Sequence, residues 1–273
     1  LRAGQAASNI RFSFGTGSDY FMEIAKLRAA RILWSLIRDG YDPDERESFR
    51  MEIHCSTSKW NATAYDPYVN MLRTQTEAMS AVLGGTDSLT VNNYDIAFAD
   101  PGEFSERIAR NQQLILREEA YFDKVADPAA GSYYIENLTA LVADHAWKLF
   151  LETEERGGFL EALKHGFIQD KIRGMANKRI RDVSMRREIL LGTNLYPGDD
   201  EEILNDNGNS IRFSAPVEDK DLAVMPLMPS RASEEFEKLR IAVRRSGKGP
   251  KAFLLPVGDK TMRKARAQFS AGF

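Results

Sequence analysis

The chain has 273 residues, of which 43% are hydrophobic, and its 37 basic and 40 acidic side chains leave a formal charge of −3. That length and apolar content can bury a substantial core in one large or two smaller domains, while a near-balanced charge offers no broad attraction for a polyanion, so nucleic acid is not expected as a partner. The single Cys55 excludes an internal disulfide and fits a reducing compartment; with no apolar run near the ~20 residues that span a bilayer and no signal-peptide pattern at the start, a cytoplasmic protein without membrane contact is expected.

Strand-like and helix-like segments alternate along the first part of the chain, as in a parallel α/β architecture. Ile10–Phe14 alternates apolar and polar side chains and is broken by Gly15-Thr16-Gly17-Ser18-Asp19. A helix is predicted over Tyr20–Arg38, with Ile24, Leu27, Ala30 and Leu33/Trp34 at helical intervals and Asp39-Gly40 as its stop. Phe49–Ser56 is a second predicted strand. Asp66-Pro67 opens a helix to Leu83, with a stripe of Val69, Leu72, Thr76 and Met79/Ser80, ended by Gly84-Gly85. Ser88–Tyr94 is a third strand, and three strand-then-helix units are too few to close an eight-stranded barrel.

The periodicity of Ser105–Glu119 is that of an amphipathic helix with an incomplete apolar face of Ile108, Leu114 and Ile115. Leu138–Glu155 is the clearest later helix, with an expected buried face at positions 141, 142, 146, 149 and 150. Ile168–Met185 carries a charge run that reads as a solvated helix face, and Ile189–Leu191 is a candidate short strand. Pro197–Ser210 is acidic and rich in Asn and Gly, hence a linker, and Leu222–Pro229 is an extended connector. The final segment reads as a helix over Ser233–Arg245, a turn at Gly247–Pro250, a buried strand over Ala252–Val257, and a helix carrying Met262, Ala265 and Phe269. A buried strand followed by Gly258-Asp259 and a helix is how a flavodoxin-like sheet begins, although a solitary unit is a weak signal. The start at Leu1 without an initiating Met and the end within a helical pattern suggest a piece of a longer polypeptide.

Several residues invite a chemical reading. His54 and Cys55 lie on the second strand, either as core residues or as side chains at a barrel mouth. Arg11 and Ser13, two apart on a strand, share a face, so a guanidinium and a hydroxyl can converge on one phosphate, or they form an exposed strand-end pair. Asn92 and Asp95 serve equally as turn caps. His145 and His165 suggest no metal cluster. No Cys-x-x-Cys pair, phosphate-cradling loop or GxSxG elbow is present, and no pair of strand-end carboxylates suggests a hydrolase.

The run SERIARNQQLILREE from Ser105 to Glu119, followed by Asp127-Pro128-Ala129-Ala130-Gly131-Ser132-Tyr133-Tyr134, resembles the signature of the methylmalonyl-CoA mutase family. The resemblance runs from about Ile10 to Phe273, densest at Phe21–Trp34, Asp66–Leu83 and Ser105–Gly131. It implies the C-terminal portion of a TIM (β/α)8 barrel over 1–130, a helical segment and linker over 131–230, and the start of a degenerate cobalamin-binding, flavodoxin-like domain over 231–273. It also implies CoA contacts from Arg11, Ser13 and His54, and a cofactor-ribose contact from Asn92.

The departures from the family pattern are as informative as the matches. Against HCQTSGW this chain reads His54-Cys55-Ser56-Thr57-Ser58-Lys59-Trp60, with Lys59 in the place of a glycine. Against SLHTN-x-x-DEA it has Thr90 for the His and Ile96 for the ribose-binding Glu, and isoleucine cannot accept a hydrogen bond. The cobalamin lower-ligand motif Asp-x-His-x-x-Gly is missing. These departures are similar to those of the small (beta) subunit of heterodimeric mutases, which implies a chain with no catalytic residue of its own. Adenosylcobalamin would then be bound by a catalytic large subunit that interconverts (R)-methylmalonyl-CoA and succinyl-CoA. A catalytic acyl-CoA mutase of isobutyryl-CoA-mutase type with a divergent pocket is the alternative.

Overall fold

A computed structural model describes residues 7, 9–41, 50–198, 211–214, 222, 224–247 and 253–271. The fold is mixed α/β. Three parallel strands, β1 (Arg11–Thr16), β2 (Glu52–Thr57) and β3 (Ser88–Thr90), form one sheet in that order, joined by α1 (Tyr20–Tyr41) and α2 (Val69–Leu83). The chain continues through α3 (Glu103–Leu114), a π-helical turn (Ile115–Glu119), α4 (Tyr133–Glu155), α5 (Phe159–Lys164), α6 (Phe167–Ser184), α7 (Glu234–Ser246) and α8 (Lys260–Ala271).

Alternation along the strands separates two faces. Phe12, Phe14, Ile53, Cys55 and Leu89 pack against Leu27, Trp34 and Ala81 of the covering helices, and the rings of Phe12 and Trp34 meet edge-on with centroids 4.9 Å apart. The register Ser13↔His54↔Ser88 and Gly15↔Ser56↔Thr90 places the polar residues together on the opposite face. Gly84 follows α2 at a close approach to α1, where an added Cβ would lie 2.8 Å from a methyl of Leu27 and force that side chain to shift.

The helix faces differ from expectation in two places. On α2 the buried residues are Asn70, Thr74, Glu77, Ala78, Ser80 and Ala81, whereas Leu72 is 68% exposed. Polar groups win this face because each has a partner: Asn70 donates to the Thr63 and Tyr94 carbonyls at 2.8 Å and accepts the Thr63 N–H at 3.1 Å. On α4 only Ile135, Thr139 and Thr153 are buried, while Leu141, Leu149 and Phe150 of the expected face are exposed. Its first turns lie on α1, through Arg28 to Glu136 at 2.8 Å and Phe21 against Tyr134, and this side takes Ile135 and Thr139 inward.

The expected helix over 105–119 becomes α3 and then a π turn, marked by the Ala120 N–H bonding back to the Ile115 carbonyl at 2.9 Å. The extra residue in the turn brings Leu116 into a cluster with Ala78, Val91 and Ala109, leaving Leu114 and Ile115 exposed. Gln112, read from sequence as part of the polar face, is buried and clamps α3 to α2, its Nε2 donating to the Met71 carbonyl at 2.5 Å and to Thr74 Oγ1 at 3.1 Å. Gln112→Leu is expected to cost about 1–3 kcal/mol by removing the buried amide's bonds to the Met71 carbonyl and Thr74, to be read as a lowered urea midpoint.

The later segments follow in part. The charged helix is α6, with Gln169 and Val183 as its buried residues. Ile189–Leu191 contributes only an isolated bridge from Leu191 to Leu195. The buried strand expected over 252–257 does not form: Phe253–Val257 is irregular, with Phe253 88% exposed, because no described strand lies beside it to pair its backbone. Phe49, the linker from residue 199 to 210, Pro216, the turn residues 248–250 and Ala252 lie outside the described residues. Among the described residues no helix is long and apolar enough to cross a membrane.

Candidate functional site

The polar sheet face and the loops after β2 and β3 form the candidate site. Arg11 and Ser13 share that face as expected; Arg11 opens β1, and its Nε donates to Glu52 at 3.1 Å with both side chains exposed. His54 sits in mid-strand, because β2 runs on to Thr57. Its Nδ1 lies 2.8 Å from Ser88 Oγ and its Nε2 3.3 Å from Thr90 Oγ1. Cys55 points to the apolar side and is fully buried, which pushes its thiol pKa up and makes it a core residue.

Asn92 caps β2. Its backbone N–H donates to Thr57 Oγ1 at 2.8 Å and its side-chain amide donates to the Thr57 carbonyl. Asp95 begins a turn, its carbonyl accepting the Phe98 and Ala99 N–H groups at 2.9 Å. Lys59 is exposed in the loop after β2, beside Trp60, over whose ring the Arg179 guanidinium stacks at 4.6 Å. Ile96 is packed against a buried cluster of Ala62, Ala64, Tyr65, Ala97, Phe98 and Ile211, together with Ile241 of α7. Helix α7 thus shares a core with the loops after β2 and β3.

Sequence reasoning missed the acids that hold this region. Glu77 of α2, 1% exposed, accepts the Ser58 N–H at 3.0 Å and the Asn61 side-chain amide at 2.5 Å, fixing the turn after β2. Burial raises its pKa from 4.5 to about 8, with Glu23 adding to the rise, while the Ser58 and Asn61 donors and Arg73 pull it back. A small cleft lies here, lined by Asn61, Arg73, Glu77, Asn92 and Ile96 among others. Glu237 of α7 anchors the other side, accepting the Ala64 N–H at 2.9 Å. The signal for Glu77 was its spacing: positions 70, 74, 77, 78 and 81 make a complete helical stripe once polar residues are allowed inside. Among the described residues no group of three His, Cys, Asp or Glu side chains could hold a metal ion.

Comparison with known proteins identifies the lineage of this arrangement. Residues 1–220 match the family profile described as methylmalonyl-CoA mutase. The chain belongs to the methylmalonyl-CoA mutase family. It is 48% identical over 272 residues to the methylmalonyl-CoA mutase small subunit of Porphyromonas gingivalis, covering 98% of this chain and 43% of that relative. It is 40% identical over 258 residues to the methylmalonyl-CoA mutase of Rhizobium meliloti, covering 91% and 35%. With the human mitochondrial methylmalonyl-CoA mutase it shares 42% identity over 216 residues, 78% of this chain and 29% of the relative. The chain therefore spans less than half the length of these mutase relatives. Both the Ser105–Glu119 run and the Asp127–Tyr134 pair fall within the matched residues.

Proposed function

We propose that this chain is part of a non-catalytic small subunit that supports a larger, adenosylcobalamin-binding mutase subunit in the isomerisation of (R)-methylmalonyl-CoA and succinyl-CoA, in the cytoplasm. The observation that carries the reading is Ile96. A ribose needs a hydrogen-bond acceptor at this place, and the position holds an alkyl group turned into a hydrocarbon cluster with Ile211 and Ile241. Asn92 has its amide committed to Thr57, and Lys59 sets a long cation in the neighbouring loop. These residues do not fit an adenosyl group, so the cofactor is assigned to the partner.

The sheet supports the barrel reading. Parallel sheets are ordinarily covered on both faces, yet here one face is apolar and covered while the other carries Ser13, His54, Ser56, Ser88 and Thr90. A polar inner wall of a (β/α)8 barrel, completed by strands of a longer parent chain, accounts for that asymmetry. On this reading 1–130 supplies the last three barrel units, 131–230 the helical linker, and 231–273 the start of a flavodoxin-like domain whose neighbouring strands would cover Phe253–Val257.

The test is reconstitution of the protein at its natural length with a catalytic large subunit. A stoichiometric complex by sedimentation, with isomerase activity only when the large subunit is present, is expected. Turnover of methylmalonyl-CoA by this subunit alone would favour the alternative of a catalytic acyl-CoA mutase with a divergent pocket.

A further inference from the structure

We propose that Thr90 is a positioning residue which, with Ser88, ties the His54 ring to β3 and withdraws both ring nitrogens from any ligand in front of the sheet. In the parallel register Ser88 stands beside His54 and Thr90 beside Ser56, two residues further along the same face. The imidazole lies along β3 and meets the two hydroxyls in turn, Nδ1 at 2.8 Å from Ser88 and Nε2 at 3.3 Å from Thr90. A neutral imidazole has one N–H and one lone pair, and a hydroxyl serves as donor or acceptor, so the pair of hydroxyls satisfies either tautomer. A ligand carbonyl arriving at this wall would have to displace one of these bonds before the ring could donate to it. The functional meaning of the tie rests on the reading of a subunit without its own turnover, while the tie itself is tested without cofactor, substrate or partner.

Acylation by diethylpyrocarbonate and exchange of the ring N–H, followed site by site in protein labelled with 15N-histidine, read the two nitrogens separately. His165, with its side chain 78% exposed, is the internal reference. Thr90→Val keeps the shape of the side chain and removes the hydroxyl. If Nε2 carries the lone pair, acylation of His54 is expected to rise about fivefold in Thr90→Val; if Nε2 carries the proton, its exchange is expected to rise by about the same factor, the effect of one net hydrogen bond. Thr90→Ser is expected to restore the slow rate. Unchanged acylation and unchanged exchange in Thr90→Val, or a wild-type His54 as reactive as His165, would overturn the proposal.

Discussion

Glu237→Ala is expected to destabilise the protein by about 3–5 kcal/mol, the cost of leaving a buried charge without its partner. The Glu237 and Arg231 side chains are 2% and 10% exposed, joined through Nη1 to Oε1 at 2.9 Å and Nη2 to Oε2 at 2.6 Å. Glu237 also accepts from Ser233 Oγ at 2.7 Å and from the Ala64 N–H, and Arg231 donates to the Ala62 carbonyl at 3.1 Å. Removing the carboxylate therefore leaves the Ala64 N–H without its acceptor and the buried guanidinium without its counter-charge, although Arg231 and Ser233 keep the Ala62 carbonyl, at the junction of α7 with the loop after β2. Urea unfolding of the protein at its natural length measures the loss. A double variant, Arg231→Met with Glu237→Leu, is expected to lose less than Glu237→Ala, because no unpaired charge remains. A loss below about 1 kcal/mol for Glu237→Ala would place the network among the surface pairs that contribute little.

The second large effect is on pH dependence and comes from Glu77. Its pKa in the folded chain is raised to about 8, chiefly by burial, against 4.5 for an unperturbed carboxyl. Between those two values the folded state holds a proton that the unfolded state has released, so stability falls as pH rises. The contribution is fully present below the unfolded value and is lost as pH climbs through the folded one, a change of about 5 kcal/mol across the window. Urea midpoints are expected to decline from about pH 5 to about pH 8 in the wild type. Glu77→Gln, which has no proton to lose, is expected to flatten that decline while retaining an acceptor for one of the two donors. A wild-type midpoint that rises across the window would mean that Glu77 is held ionised by Ser58, Asn61 and Arg73.

These two acids also mark the boundary of what the sequence makes legible. The strands are readable because Arg11–Thr16 and Glu52–Thr57 alternate, and α1 and α2 because apolar residues recur at helical intervals. Gly84 ends α2 as expected, whereas α1 runs through the expected stop at Asp39-Gly40 to Tyr41, a glycine costing a helix interior only about 1 kcal/mol. The inward face of α2 is not, because apolar periodicity selects Leu72 and Thr76 while hydrogen-bond partners supplied by Thr63, Tyr94 and Gln112 select Asn70 and Thr74. Those partners are distant in sequence, so local pattern carries no trace of them. Phe253–Val257 fails in the opposite sense: its composition is that of a buried strand, but burial needs neighbouring strands that composition does not report. At the site, Arg11, Ser13 and His54 do share the polar face, whereas the commitment of Asn92 to Thr57 and the packing of Ile96 against α7 depend on tertiary contacts.

On the proposed reading, the residues after β2 and β3 leave no place for an adenosyl group. Spectrophotometric titration of the isolated, natural-length protein with adenosylcobalamin tests it most directly. The expected result is an unaltered corrinoid spectrum at every protein concentration, with binding appearing only when the large subunit is added. Saturable binding by the isolated protein, abolished by further substitution at Asn92, would contradict it.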